Sequence, residues 1–132
     1  MKEPKDARKE RQAVEEWRMV ECLRLAGNTV AAEVEIVPSR KWRVDYVLNG
    51  EVALEIEGYG RHQSWAGYHS DITKYNAVAA RGWLLVRVTR EMVGNGDALE
   101  SLAGCGVHVT ADRGGTFPAE GSGEMGEKET RF

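Results

Sequence analysis

Long apolar runs are absent from this chain of 132 residues. The longest cover only a few positions, far short of the roughly 20 apolar residues that a membrane-spanning helix needs. The charged stretch from Met1 to Arg11 holds no apolar segment of the signal-peptide kind, so secretion is not expected and a cytoplasmic location is. Cysteine is scarce. Cys22 and Cys105 stand alone, no C-x-x-C pair occurs, and zinc-site spacing is therefore missing. Two small, half-buried thiols are expected rather than a disulfide. No internal repeat is present. What remains is an ordinary globular composition, 42% apolar and 30% charged, in a length that suits one domain with one real core.

Positive charge in excess is also lacking. The formal net charge is −3, which by itself argues against a nucleic-acid binder. The distribution argues the other way. Between Ile36 and Arg90 eight cations face five acids, a local net of +3, and much of the negative charge lies near the two ends. If the clustered acids hold a cation, that central face becomes more basic still.

Apolar spacing predicts a helix from Arg11 to Ala26, with Val14, Trp17, Val20 and Leu23 turned inward and Gly27-Asn28 as its stop. Three strands follow, Ala31–Val37, Trp42–Leu48 and Glu51–Glu57, the last two joined at the hairpin signal Asn49-Gly50. In the second, Val44, Tyr46 and Leu48 share one face, and Arg43, Asp45 and Val47 the other. Gly58 to Gly67 reads as a loop rich in Gly, His and aromatics, and His62 and His69 are both expected in this loop region beside the carboxylates. Ser70 is then the expected cap of a helix to Arg81 that buries Ile72, Tyr75, Val78 and Ala79. Trp83–Val88 reads as a strand buried on both faces. One helical turn (89–93) and a last helix, opened by the capping-box pattern Asp97-x-x-Glu100 and running to Ala103, complete the pattern. Val107–Thr110 is a candidate extra edge strand. The order α-β-β-β-α-β-α predicts an α/β fold, a mixed central sheet flanked by helices. Residues 1–10 form a charged extension, 11–103 the domain, and 104–132 a Gly- and Glu-rich tail expected to be partly disordered.

Chemistry concentrates in the hairpin. Asp45 lies ten residues before Glu55, and Glu57 shares the face of Glu55 because strand side chains repeat every two residues. Three carboxylates are thus expected on one patch of sheet, where they raise one another's pKa unless a cation neutralises them. All-oxygen ligands suit Mg²⁺ or Mn²⁺. The competing reading is a solvated acidic face paired with Arg43 or Arg87. Asp71 is expected as a partner of its helix dipole. His62 and His69 are candidate acids or bases near neutral pH. Arg40, Lys41, Arg43, Arg61 and Arg87 are candidate phosphate contacts, and Trp42, Tyr59, Trp65 and Tyr68 are candidate stacking surfaces for unpaired bases, with Trp42 and Trp83 read first as core aromatics.

Asp45 followed by Glu55-Ile56-Glu57-Gly58 resembles the PD-(D/E)XK nuclease superfamily. The wider set Arg40-Lys-Trp-Arg-Val-Asp45, Arg61-His62, Asp71-x-x-Lys74-Tyr-Asn76, Gly82-Trp83 and Arg87 is similar to small phage- and prophage-type members akin to the VRR-NUC and very-short-patch-repair groups. The resemblance covers about residues 11–103. It implies a restriction-endonuclease-like core and metal-dependent endonuclease activity on DNA, selective for structure rather than long sequence. It implies Asp45, Glu55, Glu57 and the carbonyl of Ile56 as metal ligands, and a homodimer. One position departs from the pattern, since Glu57 stands where the superfamily has lysine. Some members carry that lysine on the following helix, which nominates Lys74. A first-helix glutamate, Glu16 or Glu21, joins the metal shell in some members. The alternative is a non-catalytic nucleic-acid-binding module that keeps the nuclease fold. A third reading is a small interaction protein without a nucleic-acid role.

Overall fold

Asn49 and Gly50 both take positive φ, 56° and 69°, and the Glu51 N–H closes the turn on the carbonyl of Leu48. Asparagine and glycine are the residues that adopt this backbone at least cost. The turn joins β2 (Val44–Leu48) to β3 (Val52–Glu57). Its register pairs Tyr46 with Leu54 and Val47 with Ala53, which brings Asp45 alongside Glu55. A two-residue turn at Asn49-Gly50 pairs Leu48 with Glu51; the observed register is off from that by one, because three residues lie between the paired ends Leu48 and Val52.

The computed structural model describes residues 2–58 and 64–110. Around the hairpin stand α1 (Lys5–Leu25), β1 (Val30–Val34), α2 (Trp65–Ala80), β4 (Leu84–Thr89), α3 (Arg90–Asn95) and α4 (Asp97–Gly104). The four strands form one sheet in the order β1-β2-β3-β4. The first three are antiparallel, and β4 joins β3 in parallel across the α2 crossover. The α/β class and the mixed sheet flanked by helices are as expected. No helix among the described residues is long and apolar enough to cross a membrane.

Alternation in the strands feeds two cores. On one face Leu48, Leu54, Ile56, Val86 and Val88 meet Met19, Val20 and Leu23 of α1, Val93 of α3, and Ala98 and Leu102 of α4. On the other, Val47 and Ala53 meet Val78 of α2, together with Val37 and Val44. Val44 thus leaves the face of Tyr46 and Leu48 on which strict alternation puts it. The break sits beside Glu33, a β1 residue at φ 55° between the pairs Ala32–Tyr46 and Val34–Val44. Such a backbone twist re-aims the adjoining side chains.

Several expected boundaries move. Helix α1 starts at Lys5, so most of the charged extension is helical, and its front half packs on little: Val14 and Trp17 are exposed. Helix α2 starts five residues before Ser70. Ser64 is the cap instead, its Oγ accepting from the Gly67 N–H at 3.0 Å. Ile72 and Ala79 of α2 are exposed, and only Tyr75 and Val78 are buried. Strand β4 is an edge strand with Leu84 and Arg87 exposed, not one covered on both faces. The capping box at Asp97 does not form; Gly96 precedes α4 at φ 94°, and the Asp97 N–H donates to Asn95 Oδ1. Residues 107–110 form no strand. Val107 is buried in the α1-side core, and the carbonyls of His108 and Val109 accept from Asn28 Nδ2 and Cys22 Sγ. Cys22 and Cys105 are free thiols.

Two leucines of α1 give the sharpest test of this packing. Leu23 is fully buried and Leu25 is 71% exposed. Leu23→Ala is expected to cost about 2–5 kcal/mol by urea unfolding, through lost burial and the cavity left behind. Leu25→Ala is expected to stay within about 0.5 kcal/mol of the wild type.

Candidate active site

Asp45 and Glu55 hold each other through the backbone. Asp45 Oδ2 accepts from the Ile56 N–H at 2.7 Å, and Glu55 Oε1 accepts from the Asp45 N–H at 3.2 Å. The antiparallel register makes this exchange possible, because each carboxylate lies opposite the other strand's amides. Glu55 is only 3% exposed. Its second oxygen, Oε2, accepts from Lys74 Nζ at 2.5 Å. Lys74 donates also to the carbonyl of Arg43 at 2.8 Å, so helix α2 is pinned to both strands of the hairpin. Burial pushes the Glu55 carboxyl above its ordinary pKa and the nearby Asp45 adds to the rise, while Lys74 pulls against both.

Glu57 is directed elsewhere. Its Oε2 accepts from Tyr75 Oη at 2.6 Å and from Arg87 Nε at 3.0 Å. The Arg87 guanidinium lies 4.1 Å above the Tyr75 ring. Burial, and then the bond to Glu57, push the Tyr75 hydroxyl well above its usual pKa, so it stays a donor. Among the described residues no three His, Cys, Asp or Glu side chains converge as a metal-binding group. The expected patch of three carboxylates is therefore a facing pair, Asp45 and Glu55, with Glu57 turned to its own partners. Two strand positions separate Glu57 from Glu55 by roughly 7 Å, and Arg87 and Tyr75 supply what draws it away.

The remaining expected residues are spread around this centre. Arg43 is exposed and 3.7 Å from Glu35. Arg40 and Lys41 are exposed, with the Arg40 guanidinium 4.6 Å from the Trp42 ring centre. His69 sits on α2 rather than in a loop, exposed beside Trp65. Residues five apart on a helix differ by about 140°, so His69 points away from Lys74 and does not join the carboxylates. Asp71 lies in the second turn of α2, not at its N-terminus. Tyr59, Arg61 and His62 fall outside the described residues. Glu16 belongs to the opposite face of the sheet. It accepts from Tyr46 Oη and, at 2.7 Å, from Arg90 Nη1. Glu21 stands on α1 beside Arg24 at 3.7 Å. Neither glutamate reaches Asp45 or Glu55. Tyr75 was expected only as a core residue, yet its ring is buried while its hydroxyl serves Glu57. The signal for that second duty is its place next to Lys74 on the helix that crosses over the acidic strand.

Removing one partner of a buried ion pair leaves the other charge without compensation. Lys74→Met is expected to destabilise the fold by about 3 kcal/mol at neutral pH, and adding Glu55→Gln is expected to restore most of that loss in urea unfolding. Without Lys74 the folded-state pKa of Glu55 rises further above the ordinary value of 4.5. The folded state then takes up a proton before the unfolded state does, so the single variant's deficit grows as pH rises above about 4.5 and shrinks below it. The chain matches no protein-family model, no curated protein and no solved structure.

Proposed function

We propose that the protein is a divalent-metal-dependent endonuclease that hydrolyses DNA phosphodiester bonds on a restriction-endonuclease-like core. One observation carries the reading. An aspartate on β2, a glutamate on β3 and a lysine on α2 meet at one point, with Lys74 Nζ 2.5 Å from Glu55 Oε2 and Asp45 bonded through the Ile56 amide beside it. The lysine that Glu57 lacks thus arrives from the helix.

The donor set fits a hard cation. Asp45, Glu55 and the Ile56 carbonyl are all oxygen ligands, which favour Mg²⁺ or Mn²⁺ over zinc. A cation held there would supply Lewis acidity toward the scissile phosphate and the attacking water. Lys74 places a positive charge where negative charge builds up on the phosphate, the role an anionic Glu57 cannot fill. Glu57 acts one step removed. With Tyr75 it holds Arg87 through Nε, and the half-exposed guanidinium is the group that meets a phosphate. Arg43, Arg40 and Lys41 contact the flanking backbone, which positions DNA without reading sequence.

The test is cleavage of labelled single-stranded, duplex, flap and four-way-junction DNA with Mg²⁺, Mn²⁺ or EDTA. Wild type is expected to cut only with metal. Asp45→Ala is expected to abolish cutting, and Lys74→Ala to slow it by about 100-fold or more, with circular dichroism confirming that both variants fold. Folded wild type that cuts none of these with either metal overturns the reading. If that protein still binds DNA with a steep salt dependence, it is a non-catalytic module on the same fold.

A further inference from the structure

Lys74 Nζ sits between two oxygens of the hairpin, Glu55 Oε2 at 2.5 Å and the Arg43 carbonyl at 2.8 Å. The Lys74 and Glu55 side chains are 14% and 4% exposed. The neighbouring pair is open by comparison, with the Arg87 side chain 47% exposed. Carboxylate and carbonyl oxygens closed off from water are also what a hard divalent cation takes. The fold has placed its own cation there.

Glu55 has one oxygen to offer. Its Oε1 accepts from the Asp45 N–H and so belongs to the joining of the two strands. Its Oε2 is held by Lys74. Charge decides what can share that second oxygen. Asp45 and Glu55 together carry two negative charges, and Lys74 returns one. A divalent cation alone cancels both carboxylates. The same cation added beside Lys74 leaves a surplus of positive charge with little water to screen it, and like charges repel strongly in low dielectric. Lys74 and a metal therefore compete for Oε2.

The chain lets the lysine yield. Its ammonium ends a flexible four-carbon stem, while Tyr75 and Val78 keep α2 against the sheet by their own burial. A metal on Glu55 also takes over the compensation that the departing ammonium withdraws.

We propose that Lys74 is an exchangeable counter-cation, which closes the Asp45–Glu55 site until a divalent cation displaces it from Glu55 and frees its ammonium to meet the scissile phosphate. This rests on the nuclease reading above and adds how the site is opened. Release of Lys74 favours metal and phosphate alike, so each tightens the binding of the other by the same factor. Loss of Lys74 then has two effects of opposite sign: slower cleavage and tighter metal binding.

The test reads metal uptake and amine reactivity, without DNA. Mn²⁺ binding is followed by electron paramagnetic resonance on wild type and on Lys74→Met, with circular dichroism to check the fold. The variant is expected to bind about tenfold more tightly or better, because no buried pair has to open. Wild type gives a second readout that no folding defect can disturb: acetylation of each lysine, followed by mass spectrometry of peptides, in Mn²⁺ or in EDTA. Lys74 is expected to be protected in EDTA and to become reactive with Mn²⁺, while the exposed Lys5, Lys9 and Lys41 react alike in both. If the variant does not fold, the acetylation alone decides. Mn²⁺ taken up by wild type with Lys74 still protected overturns the proposal, as does a folded variant that binds no more tightly than wild type. Either result leaves the nuclease reading standing. Uptake by neither form also overturns the proposal, and if that wild type cuts no DNA the nuclease reading falls with it.

Discussion

A carboxylate almost wholly removed from water needs a compensating charge, and Glu55 has one in Lys74. The pair does more than settle an electrostatic debt. The same ammonium bonds the Arg43 carbonyl, so one side chain ties α2 to both strands of the hairpin. The crossover from β3 to β4 passes through this helix, and the parallel pairing of β4 follows from where it sits. The placement of α2, the exposure of its outer stripe and the route by which Tyr75 reaches Glu57 all depend on that contact. Buried pairs of this kind add little net stability over an apolar replacement. Their effect is to permit one arrangement and penalise others.

Two charge systems sit two residues apart on one face of β3, each with its own hydrogen-bond partners. Glu55 is turned inward to a lysine, and Glu57 outward to an arginine and a tyrosine. The difference in burial sets their chemistry. The first pair lies in low dielectric, where a fixed ammonium acts strongly on its surroundings. The second leaves Arg87 exposed enough to meet a large anion while its Nε is already held. Orientation is thus fixed before a ligand arrives, which lowers the ordering cost of binding.

Much of this was legible from the residues. The Asn49-Gly50 turn and the alternation of β2 and β3 place Asp45 and Glu55 together, and the helix after β3 carries Lys74 toward them. Gly27 marks the end of α1, where it takes φ 101°. Other features were hidden for physical reasons. Ser64 and Ser70 are equally good caps by residue type, and only the folded chain shows which oxygen finds a free N–H. Trp17 and Ile72 look like core because periodicity reports which side chains share a face, not whether anything covers that face. Glu57 looks like a third ligand because its competitors, Tyr75 and Arg87, come from 18 and 30 residues away. The β4 run looks doubly buried because apolar content does not distinguish a central strand from an edge.

Among the described residues, Asn28 and Glu55 are the buried polar side chains. The Asn28 amide nitrogen donates to the carbonyls of Leu23 and His108, and its oxygen accepts from Asn49 Nδ2. One side chain thus joins the end of the first helix, the tip of the acidic hairpin and a segment 80 residues downstream. On the ribosome, that junction cannot close until the segment around His108 has emerged. The hairpin that carries Asp45 and Glu55 is made early, but its tip gains its last anchor late. A nascent chain therefore holds its acidic residues on a half-fastened scaffold until a segment some 80 residues beyond Asn28 has been made.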